Sequence, residues 1–122
     1  MRLLTYALAL FCAASFVRAE DKKYDIVKTF PVGGDGGWDY VTVDSAAHHV
    51  YVTRSSHTQV IDTESGKLLA DIKDQKRSHG VAVVSDLNRG FITDGGGAIV
   101  IFDLKTNEIL GKVESPADSD GI

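Results

Sequence analysis

Three side chains able to accept a proton or hold a cation recur at one interval: Asp39, His79 and Asp120 stand 40 and then 41 residues apart. Each opens an apolar run, in Trp38-Asp39-Tyr40-Val41, Ser78-His79-Gly80-Val81 and Ser119-Asp120-Gly121-Ile122. Two carboxylates and an imidazole that meet at one place can hold a hard or borderline cation, or bind a polar ligand. Carboxylates that meet repel each other unless a cation, a proton or the imidazole compensates them. Residues so far apart meet only if the chain returns to the same place once per period, so the chemistry depends on a repeated element.

The element is present. Val41-Thr42-Val43, a polar break over 44–49 and Val50-Tyr51-Val52-Thr53 are answered by Val81-Ala82-Val83, a break over 84–89 and Gly90-Phe91-Ile92-Thr93. The offset is 40 from Tyr51 to Phe91 and 41 from Val60-Ile61-Asp62 to Ile101-Phe102-Asp103, which places one extra residue in the Asp94-Gly95-Gly96-Gly97 turn. Each copy reads as four strands, 40–44, 50–53, 58–62 and 68–72 in the first, then 81–84, 91–93, 98–103 and 109–113 in the second. β-branched and aromatic residues fill the runs, and Gly, Asn, Asp and Ser fill the gaps. Beyond the first twenty residues no stretch sustains a helical apolar stripe.

A period of about 40 residues with four short strands per copy is the signature of a β-propeller blade. The expected fold is therefore all-β: a β-propeller fragment with blades at 38–77 and 78–117 and the start of a third at 118–122. Residues 24–32 read as an N-terminal strand that closes the ring by completing the last blade, and 33–37 as a flexible interblade loop. Because a propeller closes only with about four to eight blades, the sequence reads as a piece of a longer protein, cut inside its third blade.

Residues 1–19 read as a secretory signal peptide, with basic Met1-Arg2, an apolar run over 3–16 and Val17-Arg18-Ala19 before the cut. The run is too short for a comfortable membrane span, and Cys12, the only cysteine, leaves with it. The expected location is the periplasm or the medium, with no membrane span after cleavage. Removing Arg2 and Arg18 from the 13 basic residues leaves 11 against 17 acidic ones, a net charge of −6. Only 73–77 is locally basic, and Asp74 interrupts it, so it reads as a solvated loop and nucleic acid is not a partner the sequence suggests.

Tyr51-Val52-Thr53-Arg54, followed by Val60-Ile61-Asp62-Thr63-Glu64-Ser65-Gly66-Lys67, resembles the YVTN-type repeat of the YncE-like β-propeller family. Phe91-Ile92-Thr93-Asp94 and Phe102-Asp103-Leu104-Lys105-Thr106-Asn107 form a looser second copy without the turn glycine, and His79-Gly80-Val81-Ala82-Val83 resembles the inner strands of that family. The resemblance covers roughly residues 24–122. It implies an exported propeller, often of about seven blades, whose members have mostly no established reaction. It implies a fold and no substrate.

Inner strands of a propeller begin at its axis, so Asp39, His79 and Asp120 are expected around one mouth of the channel, on the face that carries the turns 54–57 and 94–97. Such groups form a ligand site there or merely solvate a water-filled channel. Trp38 beside them either lines the mouth as a stacking surface or packs between blades. Other motifs carry less. Gly33-Gly34-Asp35-Gly36-Gly37 lacks the Gly-Lys-Ser/Thr of a phosphate cradle, His48-His49 sits in a turn and would point to opposite faces if extended, and Ser78-His79 diverge in an extended chain. Two functions remain: a non-catalytic binding or scaffolding module for a protein, peptide or small molecule on the loop face, or a propeller hydrolase such as a metal-dependent lactonase. No cofactor is assigned by the sequence.

Overall fold

A computed structural model describes residues 23–122, and the signal-peptide reading of 1–19 lies outside them. Eight strands form two four-stranded antiparallel meanders. The first holds β1 (Val41–Asp44), β2 (His49–Thr53), β3 (Thr58–Asp62) and β4 (Leu68–Ile72), and the second β5 (Ser78–Val84), β6 (Arg89–Asp94), β7 (Ala98–Asp103) and β8 (Ile109–Glu114). The only helical element among the described residues is a 3₁₀ turn, Ser85–Leu87, between β5 and β6. This is the expected all-β propeller fragment.

Three of the turns fold locally because an aspartate ends the strand before them. The Asp44 carboxylate accepts the N–H groups of Ala46 and Ala47, Asp62 those of Glu64 and Ser65, and Asp103 those of Lys105 and Thr106. Gly66 then takes the left-handed conformation at φ 73°, and in the second copy Asn107 takes it at φ 60°. Asn thus supplies what the missing turn glycine would. The Ser65 hydroxyl and N–H hold the Asp62 carboxyl below the usual carboxylate range, and the Thr106 and Lys105 N–H groups do the same for Asp103.

The sheets stack face to face, and the pleat decides which residues meet. Tyr51, Val60 and Ile72 from the first sheet pack with Val81, Ile92, Val100 and Phe102 from the second. The Tyr51 and Phe102 rings lie 5.7 Å apart, and burial, aided by the nearby Asp44 carboxylate, pushes the Tyr51 hydroxyl up to about 12. Thr42 Oγ1 ties the sheets together by donating to the Val81 carbonyl at 3.0 Å. Gly90 pairs with Phe102 across β6 and β7, and a Cβ there would overlap the Phe102 ring. A glycine is required because the aromatic ring fills that space.

The expected closing strand makes no ladder bonds among the described residues. Residues 24–32 run extended past the β3–β4 turn, where Lys28 Nζ donates to the Glu64 carbonyl and Phe30 lies against Gly66, while Tyr24, Ile26 and Val27 are exposed. A lone segment cannot bury its apolar side chains without partner strands. The loop over 33–37, expected to be flexible, is clamped. The Arg54 guanidinium donates to the carbonyls of Gly34 and Gly36 and to Gln59 Oε1, and Gln59 Nε2 donates to the Gly33 carbonyl. The 73–77 stretch is also more than a solvated loop. Gln75 is buried, accepting from Thr58 Oγ1 and donating to the Ile72 carbonyl, and the Lys76 and Arg77 N–H groups meet the Asp94 carboxylate.

Candidate functional site

The innermost strands β1 and β5 open next to each other, and threonines at the end of β2 and one residue before the end of β6 set their geometry. Thr53 Oγ1 accepts from Tyr40 N at 3.0 Å and donates to the Tyr40 carbonyl, while Asp39 N donates to the Thr53 carbonyl. In the second sheet Thr93 Oγ1 accepts from Gly80 N at 2.8 Å and meets the carbonyls of Gly80 and Asp120. Each threonine thus fixes the backbone beside a site residue: Asp39 in one sheet, His79 and Asp120 in the other. Sequence reasoning did not assign Thr53 and Thr93 this task, although the signal was there as the last residue of Tyr-Val-Thr and Phe-Ile-Thr.

The three residues singled out by the repeat come together. His79 Nδ1 touches Asp39 Oδ2 and lies 3.9 Å from Asp120 Oδ1. One ligating atom from each residue falls within 4.8 Å of the others, the only such group of three among the described residues. The His79 side chain is 15% exposed while both carboxylates face solvent, so the imidazole forms the floor and the aspartates the rim. Gly95 backs the ring: a Cβ on it would stand 2.9 Å from His79 Nε2. Neither aspartate pairs with a Lys or Arg among the described residues, and Arg77 turns instead to Asp118 and the Gly95 carbonyl. The cluster carries more negative charge than His79 alone can neutralise, which favours a cation or a cationic ligand group.

Trp38 is exposed and does not pack between the two sheets described, and no described ring stacks on it. Ser78 is buried and donates to the His57 carbonyl at 3.1 Å, away from its neighbour His79. His48 approaches Glu64 on the surface, and His49 sets its ring edge-on to Tyr51. The two histidines therefore form no joint ligand pair.

A second polar group was not legible in the sequence. A cleft of about 570 Å³ between residues 31–35 and the first sheet is lined by Ser56, His57, Asp71 and Lys73. His57 Nδ1 lies 3.1 Å from Ser56 Oγ, and its Nε2 lies 3.7 Å from Asp71 Oδ1. Asp71 comes from β4 and His57 from the turn before β3, so only the sheet register unites them. The cleft borders the open face of the first sheet, where the outer strands of another blade would stack.

No family model and no curated protein matches the sequence. Among solved structures, hydrazine synthase of Kuenenia stuttgartiensis is similar, with a TM-score of 0.67 at 11% sequence identity. The match covers 80% of this chain and 29% of that one, so the chain spans less than a third of its structural neighbour. At that identity the likeness concerns the fold alone, and it agrees with two stacked four-stranded sheets of a propeller.

Proposed function

We propose that the chain is the N-terminal part of an exported YVTN-type, YncE-like β-propeller that acts as a non-catalytic binding module and takes its ligand at the mouth formed by Trp38, Asp39, His79 and Asp120. The observation that carries this reading is the convergence of three ionisable side chains from equivalent positions of successive repeats. Random solvation of a channel places no such demand on equivalent positions. An exposed indole beside an anionic rim suits a protein, peptide or small molecule with a cationic or planar apolar group. The periplasm or the medium is the proposed location. Among the described residues no helix is long and apolar enough to cross a membrane.

A hydrolase is the second reading, favoured by one contact. Asp39 touches His79 Nδ1, an arrangement that orients an imidazole as a proton acceptor. The experiment uses the protein expressed from its complete reading frame, with thermal-shift screening of peptides, sugars and lactones on wild type, Trp38→Ala and Asp39→Asn. The binding reading predicts ligand shifts that both substitutions abolish, with no lactone turnover. Shifts indifferent to both substitutions would move the site elsewhere, and turnover lost in His79→Gln would favour the hydrolase.

A further inference from the structure

We infer that Asp39, His79 and Asp120 together hold a first-row divalent cation of the zinc type, through His79 Nδ1 and one oxygen of each aspartate. The inference rests on the binding-module reading above and names what the mouth binds first. A tetrahedral zinc site with bonds of about 2.0–2.1 Å separates its ligand atoms by about 3.3 Å. The Nδ1 to Asp120 distance of 3.9 Å and the 4.8 Å span of the whole set lie within a small side-chain adjustment of that value. The Asp39 carboxylate already touches Nδ1, so the two ligand atoms are brought together before any cation binds.

Three further observations bear on the choice of ion. One imidazole with two carboxylates is a mixed nitrogen and oxygen set, which suits zinc-like ions better than calcium or magnesium, whose sites are built from oxygen. The charge is uncompensated, since neither aspartate has a Lys or Arg partner among the described residues. The supporting shell is already in place: Thr93 Oγ1 meets the Asp120 carbonyl, the Thr53 carbonyl accepts from Asp39 N, and the absence of a side chain at Gly95 leaves the space that the imidazole occupies. Three protein ligands leave a coordination position open toward solvent, where a carboxylate, hydroxyl or carbonyl of a ligand can bind.

The test strips the complete protein with EDTA and titrates it with Zn²⁺ alone by calorimetry, with bound metal counted after buffer exchange. One zinc per chain is expected. His79→Gln and Asp120→Asn should each weaken it by about 100-fold, and His48→Gln, on a surface histidine outside the cluster, should leave it unchanged. Ca²⁺ at equal concentration should bind far more weakly. Should His79→Gln fail to fold, Asp120→Asn decides alone, because its side chain is 61% exposed and its loss opens no core. No bound zinc, or zinc that survives Asp120→Asn, overturns the inference. Persistence in that case of a ligand shift abolished by Trp38→Ala leaves the binding-module reading standing. Zinc bound at the cluster with no response to any ligand upholds the cation and removes that reading instead.

Discussion

The two blades carry the same pattern and meet opposite fates. Val81 lies in the inner strand of the second blade and is 6% exposed, whereas Val41, its equivalent in the first, is 57% exposed. The outer strands reverse the order: Ile72 in the first blade is 3% exposed and its equivalent Val113 in the second is 53%. Sequence therefore decides which face of a strand is apolar, and the presence of a neighbouring blade decides whether that face is covered. The bare faces at both ends of this pair have the chemistry of its interior, which is how a stacked repeat behaves where a neighbour is wanting.

The largest test of this contrast truncates one residue on each kind of face. Phe102→Ala removes a ring packed on Tyr51 and should cost about 3–5 kcal/mol, whereas Val113→Ala in the same blade should cost less than about 1 kcal/mol, read by urea unfolding. Comparable losses at both sites would mean that Val113 is covered in solution. A finer test uses two strand glycines. Gly90→Ala drives a Cβ into Phe102 and should destabilise by about 1–3 kcal/mol, while Gly111→Ala meets nothing within 4 Å and should be neutral or slightly stabilising.

The smallest effect concerns the turns, where the first blade closes on Arg54-Ser55-Ser56-His57 and the second on Asp94. Burial works against the charged form of Asp94, but the N–H groups of Gly96, Arg77 and Lys76 outweigh it and hold the carboxyl below its usual range. With the folded value below the unfolded one, its contribution is complete above the unfolded value of about 4. It is lost as pH falls through the lower folded value. Asp94→Asn should therefore cost about 1 kcal/mol at pH 7 and flatten the acid limb of the stability profile below the ordinary carboxylate range, measured as midpoint against pH. An unchanged acid limb would show that the three N–H groups find water equally well.

Strand order and most strand limits could be read from the repeat, because period-two patterning and aspartate-led turns are local signals. The start of β5 was not. Ser78, His79 and Gly80 have poor strand propensity, and they extend the strand only because Thr93 and the Ser55 carbonyl take their N–H groups. The convergence of Asp39, His79 and Asp120 was legible as equivalence around an axis, since a repeat maps sequence spacing onto space. The Arg54 clamp and the His57–Asp71 approach were not, because a long side chain's target and a cross-strand pairing depend on register that composition does not encode. The exposure of Trp38 escaped for a related reason: its surroundings are set by which blades stand beside it.

The clamped glycine loop also divides the protein's peptide bonds into those a protease can enter and those it cannot. Trypsin needs a basic side chain in its pocket and a stretch of main chain laid out along its cleft. Arg54 offers neither, with its guanidinium committed to Gly34, Gly36 and Gln59 and its own N–H and carbonyl bound within the turn. Lys23 and Lys28 stand on an arm whose main chain has no ladder partner. Digestion should thus trim that arm first and stop at the glycines, leaving the two sheets and the anionic mouth in one piece.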